Sequence, residues 1–321
     1  MKNILLTGGA GFIGSHLTML LLARGYAVVV LDNMDSYYDV NLKRQHVGQY
    51  LSNPNYEFVE GDIRDRPLLH SLFALHSFDA VIHLAARAGV RPSVEDPALY
   101  FDVNVNGTLA LLDAMRQAGT RQMVMASSSS VYGDTPTVPF SESAMCDRPL
   151  SPYAASKRAA ELLAYTYHHL YGLDISCLRF FTVYGPRQRP EMAISQFTER
   201  IINGQFITLF GDGTTARDYT YIDDITAGIV ATLERLSGYN ILNLGGSSPI
   251  TLRDMVHLIE QSVGQPAQID WQPMQPGDVE RTYADLTRAR DLIGYAPTIK
   301  TQEGIRRFVE WYKEKERVVA A

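Results

Sequence analysis

The sequence predicts a doubly wound α/β fold: a parallel sheet with helices on both faces, followed by a smaller, irregular α/β lobe. Three observations carry this expectation. Short apolar runs alternate with segments of helical periodicity through the first half of the 321 residues. Those runs are continuously apolar rather than alternating, as strands covered on both faces must be. After about Gly185 the rhythm breaks and Pro and Gly cluster.

Taken in order, NILLTG (3–8) reads as a buried strand, and apolar residues at helical spacing from Ser15 to Arg24 as a helix. AVVVLDN (27–33), YEFVEGDI (56–63) and DAVIHLAA (79–86) supply the next three strands. A long helical segment from about Pro97 to Ala118 leads to a fifth strand, QMVMASSSS (122–130). SPYAASKRAAELLAYTYHHLYG (151–172) reads as a helix and DISCLRFF (174–181) as a sixth strand. Strand–helix alternation of this kind gives a doubly wound sheet. Breaks follow at GPRQRPEM (185–192), FGDGTTARDYT (210–220) and QPMQPGDVER (272–281). Because TYIDDITAGIVATLE (220–234) and ILNLGG (241–246) look like returns to the core, residues 1–184 form the expected sheet domain with returns from about 220–246, and residues 185–321 mainly the lobe.

Composition narrows the function classes. Lys and Arg number 29 against 35 Asp and Glu, a net charge of −6, so no basic excess exists to neutralise a nucleic-acid backbone. Two cysteines, Cys146 and Cys177, make neither a disulfide framework nor a metal cluster. No apolar run approaches the roughly 20 residues of a membrane span. The expectation is a cytoplasmic protein with no nucleic-acid or membrane partner and no metal. His168 and His169 lack the spacing of a metal site and read as helix residues.

TGGAGFIG sets Gly8, Gly11 and Gly14 at G-x-x-G-x-x-G spacing between a strand and a helix. Glycines there allow a tight turn and close backbone approach to a pyrophosphate, which a helix N-terminus attracts. Asp32 ends the next strand 18 residues after Gly14. A carboxylate there accepts from the adenosine ribose and repels a 2′-phosphate, and no arginine follows it, so NAD is favoured over NADP. Asp62, after the third strand, accepts from the adenine amino group or is a plain loop carboxylate.

Tyr153 and Lys157 lie four apart on one helical face. An ammonium beside a phenol favours the phenolate and makes tyrosine a usable base. SSSSVYG (127–133) falls at the carboxyl edge of the fifth strand, where such sheets bind ligands, and its hydroxyls suit a polar substrate.

The set TGGAGFIG, Asp32, Asp62, HLAA, NVNGT, ASSSSVYG and YAASK resembles the extended short-chain dehydrogenase/reductase family over nearly the whole chain. Within it, DNMDSYYDVNLKR, ARAGVRPS, LRFFTVYGPRQRPEM and ARDYTYIDD are similar to nucleotide-sugar 4-epimerases, UDP-glucuronate 4-epimerases in particular, although Glu191 stands where an aspartate is expected. The resemblance implies a Rossmann-type fold and bound NAD. It makes Tyr153 the catalytic base, Lys157 its electrostatic partner and ribose ligand, and Ser128 the hydroxyl that supports proton transfer. Around NAD it places Gly8, Gly11, Phe12, Ile13, Gly14, Asp32 and Asn33 from the first two strand ends. Asp62, Ile63, Leu84, Ala85, Ala86, Ser127 and Phe181 join them from the others. Asn104 holds local structure beside the cofactor or makes a helix-internal hydrogen bond. Ser128, Ser129, Ser130, Thr182, Arg189 and Ala193 would face the sugar; Arg91, Arg217 and Asp278 the rest of the UDP-sugar. Thr282 is small where some relatives carry a tyrosine. The helices at 97–118 and 151–172 would pair in a homodimer, and the tyrosine-rich segments 37–38 and 165–171 read mostly as packing or dimer surface.

Neighbouring reactions fit less well. The 4,6-dehydratases carry an Asp-Glu pair where this chain has Ser129 and Ser130, and the decarboxylases that make UDP-xylose usually show a glutamate at the place of Ser130. UDP-glucose/UDP-galactose (or N-acetylhexosamine) epimerisation is the runner-up, then decarboxylation. Binding of NAD without turnover comes last, because Tyr153, Lys157 and Ser128 are all present.

Overall fold

The structure is a computed structural model that describes residues 2–274 and 280–320. Strands β1 (Asn3–Thr7), β2 (Ala27–Asp32), β3 (Tyr56–Glu60), β4 (Ala80–His83), β5 (Gln122–Ser128) and β6 (Asp174–Phe180) build the first half. Then come β7 (Thr182–Tyr184), β8 (Phe206–Phe210), β9 (Ala216–Arg217), β10 (Tyr219–Tyr221), β11 (Tyr239–Leu244), β12 (Ile250–Thr251) and β13 (Gln268–Gln272). The helices are α1 (Phe12–Ala23), α2 (Val40–Gly48), α3 (Arg66–Leu75), α4 (Val90–Glu95), α5 (Pro97–Phe101), α6 (Thr108–Ala118) and α7 (Pro152–Tyr171). α8 (Ala193–Ile202), α9 (Ile222–Glu234), α10 (Leu252–Val263), α11 (Thr287–Ile293) and α12 (Thr301–Ala320) follow.

Seven strands form one sheet in the order β11-β6-β5-β4-β1-β2-β3. Every pairing in it is parallel. β1 and β4 are neighbours although β2 and β3 lie between them in sequence. The order in which strands are added therefore reverses there, and the loops after β1 and β4 open a crevice at the carboxyl edge. β11 is the last strand of the sheet, with Ile241 opposite Cys177. Outside this sheet, among the described residues, lie three two-stranded pairs, β10-β7, β12-β9 and β13-β8.

Local signals explain the helix that matters most. Ser151 caps α7 by accepting from the Ala154 N–H at 3.1 Å, Pro152 sits in its first turn, and Gly172 ends it in the left-handed region. The segment expected as one helix over 97–118 is interrupted. α5 passes through a wide π turn, Asp102–Gly107, before α6. Three helices of the first half, α2, α3 and the short α4, were not anticipated. α3 carries its signature openly, with Asp65 accepting from Leu68 N–H, Pro67 in the first turn and Leu69, Leu72 and Phe73 buried. α2 buries Lys43, His46 and Val47, so its inward face lacks an apolar stripe. Among the described residues no helix is long and apolar enough to cross a membrane.

Candidate active site

Along the carboxyl edge of the sheet lies a cavity of about 540 Å³. Its first wall is the glycine loop. Gly8 sits at φ 74°, and a Cβ there would lie 2.6 Å from the Ala85 backbone nitrogen. Only glycine lets the loop after β1 touch the loop after β4. A Cβ on Gly14 would come within 2.2 Å of the Gly8 oxygen, so α1 packs directly on the loop. Gly11 precedes α1 with no side-chain cap, which leaves the first N–H groups of α1 and the positive end of its dipole to a ligand.

Asp32 ends β2 with Oδ2 accepting from Ala10 N–H at 3.2 Å and Oδ1 from Met34 N–H at 3.0 Å. Lys43 Nζ stands 3.5 Å from Oδ1. Asp62 is held more fully. Its oxygens accept from Arg64 N, Nε and Nη2 at 2.8, 2.9 and 2.8 Å, and from Asn33 Nδ2 at 2.9 Å. These bonds hold its pKa down to about 2. An open glycine loop, a bare helix N-terminus and a fixed carboxylate fit a dinucleotide, with the pyrophosphate at α1 and a ribose at Asp32.

The far end of the cavity holds the reactive groups. Ser130 N–H donates to Ser128 Oγ at 3.1 Å, opening a 3-10 turn over Ser129–Tyr132. The Ser128 side chain lies on the same stretch of the cavity as the Tyr153 phenol and draws its pKa down. Lys157, one turn along α7, donates to the Ala126 carbonyl at 2.9 Å. Burial lowers the Lys157 pKa to about 8, against the opposing pull of Glu161. Burial raises the Tyr153 pKa, while the Ser128 side chain and the Arg189 charge draw it back down. Arg189 lies 3.3 Å from Glu191 and over the Tyr37 ring at 5.4 Å.

Behind this end runs a buried network. Glu161, two turns beyond Tyr153 on α7, accepts from Ser127 Oγ at 2.6 Å. It also accepts from Arg158 Nη1 at 2.9 Å, and from Arg179 Nε and Nη2 at 2.9 Å each. Arg179 stacks over the Tyr132 ring at 4.7 Å, and Tyr132 donates to Asn243 Oδ1 at 2.6 Å. α7, β5, β6 and β11 are thus tied together directly under the serine run.

The chain matches the family described as GDP-mannose 4,6 dehydratase over residues 5–308. It is 47% identical over 316 residues to the UDP-glucuronate 4-epimerase of Thermodesulfobacterium geofontis, spanning 98% of this chain and 97% of that protein. The chain belongs to the extended short-chain dehydrogenase/reductase family. Its fold is also that of solved family structures. The UDP-glucuronic acid 4-epimerase of Bacillus cereus, in complex with UDP-glucuronic acid and NAD, superposes with a TM-score of 0.92 at 35% identity, over 98% of this chain and all 100% of the other. The UDP-glucose 4-epimerase of Thermotoga maritima, with UDP-glucose, gives 0.91 at 33% identity, covering 98% and 100%.

For a member of this family, the cavity gathers most of the residues singled out in the sequence. Gly8, Gly11, Phe12, Ile13, Gly14, Asp32 and Asn33 line one stretch of it. Asp62, Ile63, Leu84, Ala85 and Ala86 line the next, and Ser127, Ser128, Ser129, Ser130, Tyr153, Lys157, Phe181, Thr182 and Arg189 the last. Asn104 holds local structure behind the wall: it is buried, its Oδ1 accepts from Arg87 N–H at 2.8 Å, and its Nδ2 donates to the Arg87 carbonyl at 3.0 Å and Ser156 Oγ at 2.9 Å. Ser127 spends its hydroxyl proton on Glu161, so its side chain can meet a ligand only as an acceptor. Asp62 has all four lone-pair positions engaged, so an adenine amino group must compete with Arg64 or Asn33.

Arg91, Ala193 and Arg217 are also off the wall. Arg91 lies over the Phe210 ring at 5.3 Å, Arg217 donates to the Ala216 carbonyl at 3.0 Å, and Ala193 opens α8 beside Met192, which does line the cavity. Asp278 lies outside the described residues. Thr282 is buried, and its hydroxyl accepts from Asp218 N–H at 3.1 Å. Tyr37 and Tyr38, read as packing or dimer surface, line the cavity, as do Lys43, Arg64 and Arg87. Arg179 and Glu161 could have been found earlier: a charge inside an otherwise apolar strand needs a buried partner, and Glu161 is four residues from Lys157.

Proposed function

We propose that this chain is an NAD-dependent isomerase that inverts C4 of a UDP-sugar through a transient 4-keto intermediate, with UDP-glucuronate to UDP-galacturonate as its reaction. The observation that carries this reading is the convergence of Tyr153, Ser128 and Lys157 at one end of a cavity whose other end is the glycine loop and Asp32. NAD, when bound along that cavity, supplies an oxidised nicotinamide that takes and later returns the C4 hydride. Gly8, Gly11 and Gly14 would accept its pyrophosphate against α1, and Asp32 would take up a ribose hydroxyl.

Tyr153 removes the proton from the C4 hydroxyl and returns it after the keto sugar has turned its other face. Ser128, whose side chain draws the phenol's pKa down, stabilises the phenolate as it forms. Lys157 as a cation does the same through space. For a glucuronate the keto intermediate is a β-keto acid, prone to lose CO₂. Arg189, Thr182, Ser129 and Ser130 line the cavity beside Tyr153 and would hold the carboxylate by charge-assisted and hydroxyl hydrogen bonds. Ser129 and Ser130 also support epimerisation over water elimination, although the matched family is described by a dehydratase. The reading includes a homodimer formed through the segment 97–118 and α7, where Phe101, Leu162 and Tyr165 are exposed.

The test is one product panel. Purified protein incubated with UDP-glucuronate should give UDP-galacturonate without UDP-xylose or CO₂, and Tyr153→Phe should cut the rate by about 10²–10⁴-fold. Interconversion of UDP-glucose and UDP-galactose alone would transfer the reading to the runner-up sugar. CO₂ release as the main outcome would point to a decarboxylase, and no turnover of any of them to a binding protein. Light scattering on the same preparation reads the dimer.

A further inference from the structure

We infer that His16 is a positioning residue for Arg189: from the helix after the glycine loop it straps the segment 185–192 to the sheet domain, and so aims the charge that faces the sugar. This rests on the reading above and adds a residue to it. In the sequence, His16 is a polar residue inside a largely apolar helix, with no partner in view. The fold supplies one from 170 positions away.

The segment leaves β7 at Gly185 and enters α8 at Ala193. His16 Nε2 lies 2.8 Å from the Pro186 carbonyl oxygen. A carbonyl only accepts, so the ring carries its proton on Nε2 and donates it. The ring is buried, which lowers its pKa to about 4 and keeps it neutral in this bond. Its edge partner Phe12, with ring centroids 5.9 Å apart, lines the cavity. One residue after Pro186, Arg187 takes φ 64°, the left-handed region that residues other than glycine rarely enter. Such a conformation persists only where its surroundings hold it. Two anchors do so. One is the His16 bond; the other runs from Arg187 Nη2 to Gln49 Oε1 at 3.0 Å, at the end of α2. Gln188 follows, buried, and Arg189 comes next on the cavity wall.

The Arg189 guanidinium itself is held only lightly, by Glu191 and the Tyr37 ring. Its aim is therefore set by its backbone, and its backbone by the strap. Without the donor, the Pro186 carbonyl loses its partner and the turn at Arg187 loses one of two anchors. Arg189 then relaxes towards water, and the carboxylate of the 4-keto sugar is held less firmly. CO₂ loss competes: the bond from C5 to the carboxylate carbon breaks, its electron pair moves onto the ketone as an enolate, and C5 takes a proton. Hydride return at C4 then gives UDP-xylose.

The test compares His16→Leu, which keeps bulk without the donor, with His16→Gln, which carries an N–H to about the place of Nε2. Each is purified with its dinucleotide, and hydrogen exchange is followed in the peptide 185–192. Its Gln188 and Met192 amides donate to the Gly185 and Arg189 carbonyls at 3.1 Å each. They should exchange at least about 5-fold faster in His16→Leu and at the wild-type rate in His16→Gln. With UDP-glucuronate, His16→Leu should lose about 2- to 10-fold in kcat/KM and yield UDP-xylose beside UDP-galacturonate. His16→Gln should give UDP-galacturonate alone. Added to Arg189→Ala, His16→Leu should change nothing further. His16→Phe serves if the leucine variant does not fold. A folded variant without the donor that keeps wild-type exchange, or makes no UDP-xylose, overturns the inference, as do losses that multiply in the double variant. Loss of bound NAD with exchange and products unmoved would assign His16 to glycine-loop packing alone, and overturns it too. A wild type that makes no UDP-galacturonate overturns the reading above, while exchange that still follows the donor at residue 16 upholds the strap.

Discussion

Two glutamate–arginine pairs flank the reactive end of the cavity, and they are made of the same residue types for opposite ends. Glu161 and Arg179 are 0% and 1% exposed and meet at 2.9 Å, whereas Glu191 and Arg189 are 41% and 20% exposed and meet at 3.3 Å. The buried pair is bidentate, and Glu161 takes further bonds from Ser127 and Arg158, so its desolvation is offset bond by bond. The rim pair has water as a competitor and holds Arg189 loosely. The difference teaches that burial, not residue type, decides whether such a pair fixes a framework or leaves a charge ready for a ligand.

Breaking the buried pair should have the largest effect. Glu161→Ala leaves Arg179 buried without its carboxylate and should cost about 3–5 kcal/mol in a urea titration. A loss as small as that of a surface pair would mean that Arg179 finds other partners and the contrast is false. Next in size, Arg189→Ala should leave the urea midpoint nearly unchanged. It should lower kcat/KM for UDP-glucuronate about 10–100-fold, as for a lost hydrogen bond to a charged group, and divert product to UDP-xylose. Normal turnover without UDP-xylose would remove Arg189 from the carboxylate.

A pH profile sharpens the contrast further. Lys157 is a cation below its pKa of about 8, so turnover should fall as pH rises through that value. The Glu161 charge favours the cation, so Glu161→Gln should move this alkaline limb to lower pH. Glu191→Gln should leave it in place, and equal shifts from both variants would contradict the separation of roles. The smallest effect belongs to Glu191→Gln on stability, below about 1 kcal/mol by the same titration.

Much of the sheet and the chemistry was legible because both rest on short-range pattern. Continuous apolar strands, the glycine spacing and the four-residue step from Tyr153 to Lys157 each lie within one local element. The less visible parts join elements distant in sequence. α2 offers no apolar stripe, since Lys43 and His46 occupy its buried face, and so the wall containing Tyr37, Tyr38 and Lys43 went unread. Asn104 does hold local structure, but by bonding Arg87 and Ser156 across the π turn, a geometry that periodicity does not encode.

By itself, then, the sequence determined the alternation of strand and helix, the loop that needs glycine, the carboxylate at the end of β2 and the phenol–ammonium step on α7. Each depends on backbone conformation or spacing within a few residues. Only the tertiary structure decided which charges share a cavity and which are buried with a partner: Lys43 beside Asp32, Arg64 around Asp62, Glu161 beneath the serines. The reason is electrostatic. The strength of a charge depends on the solvent it has lost and the partner it has gained, and both are fixed by residues that the chain brings together only when it folds.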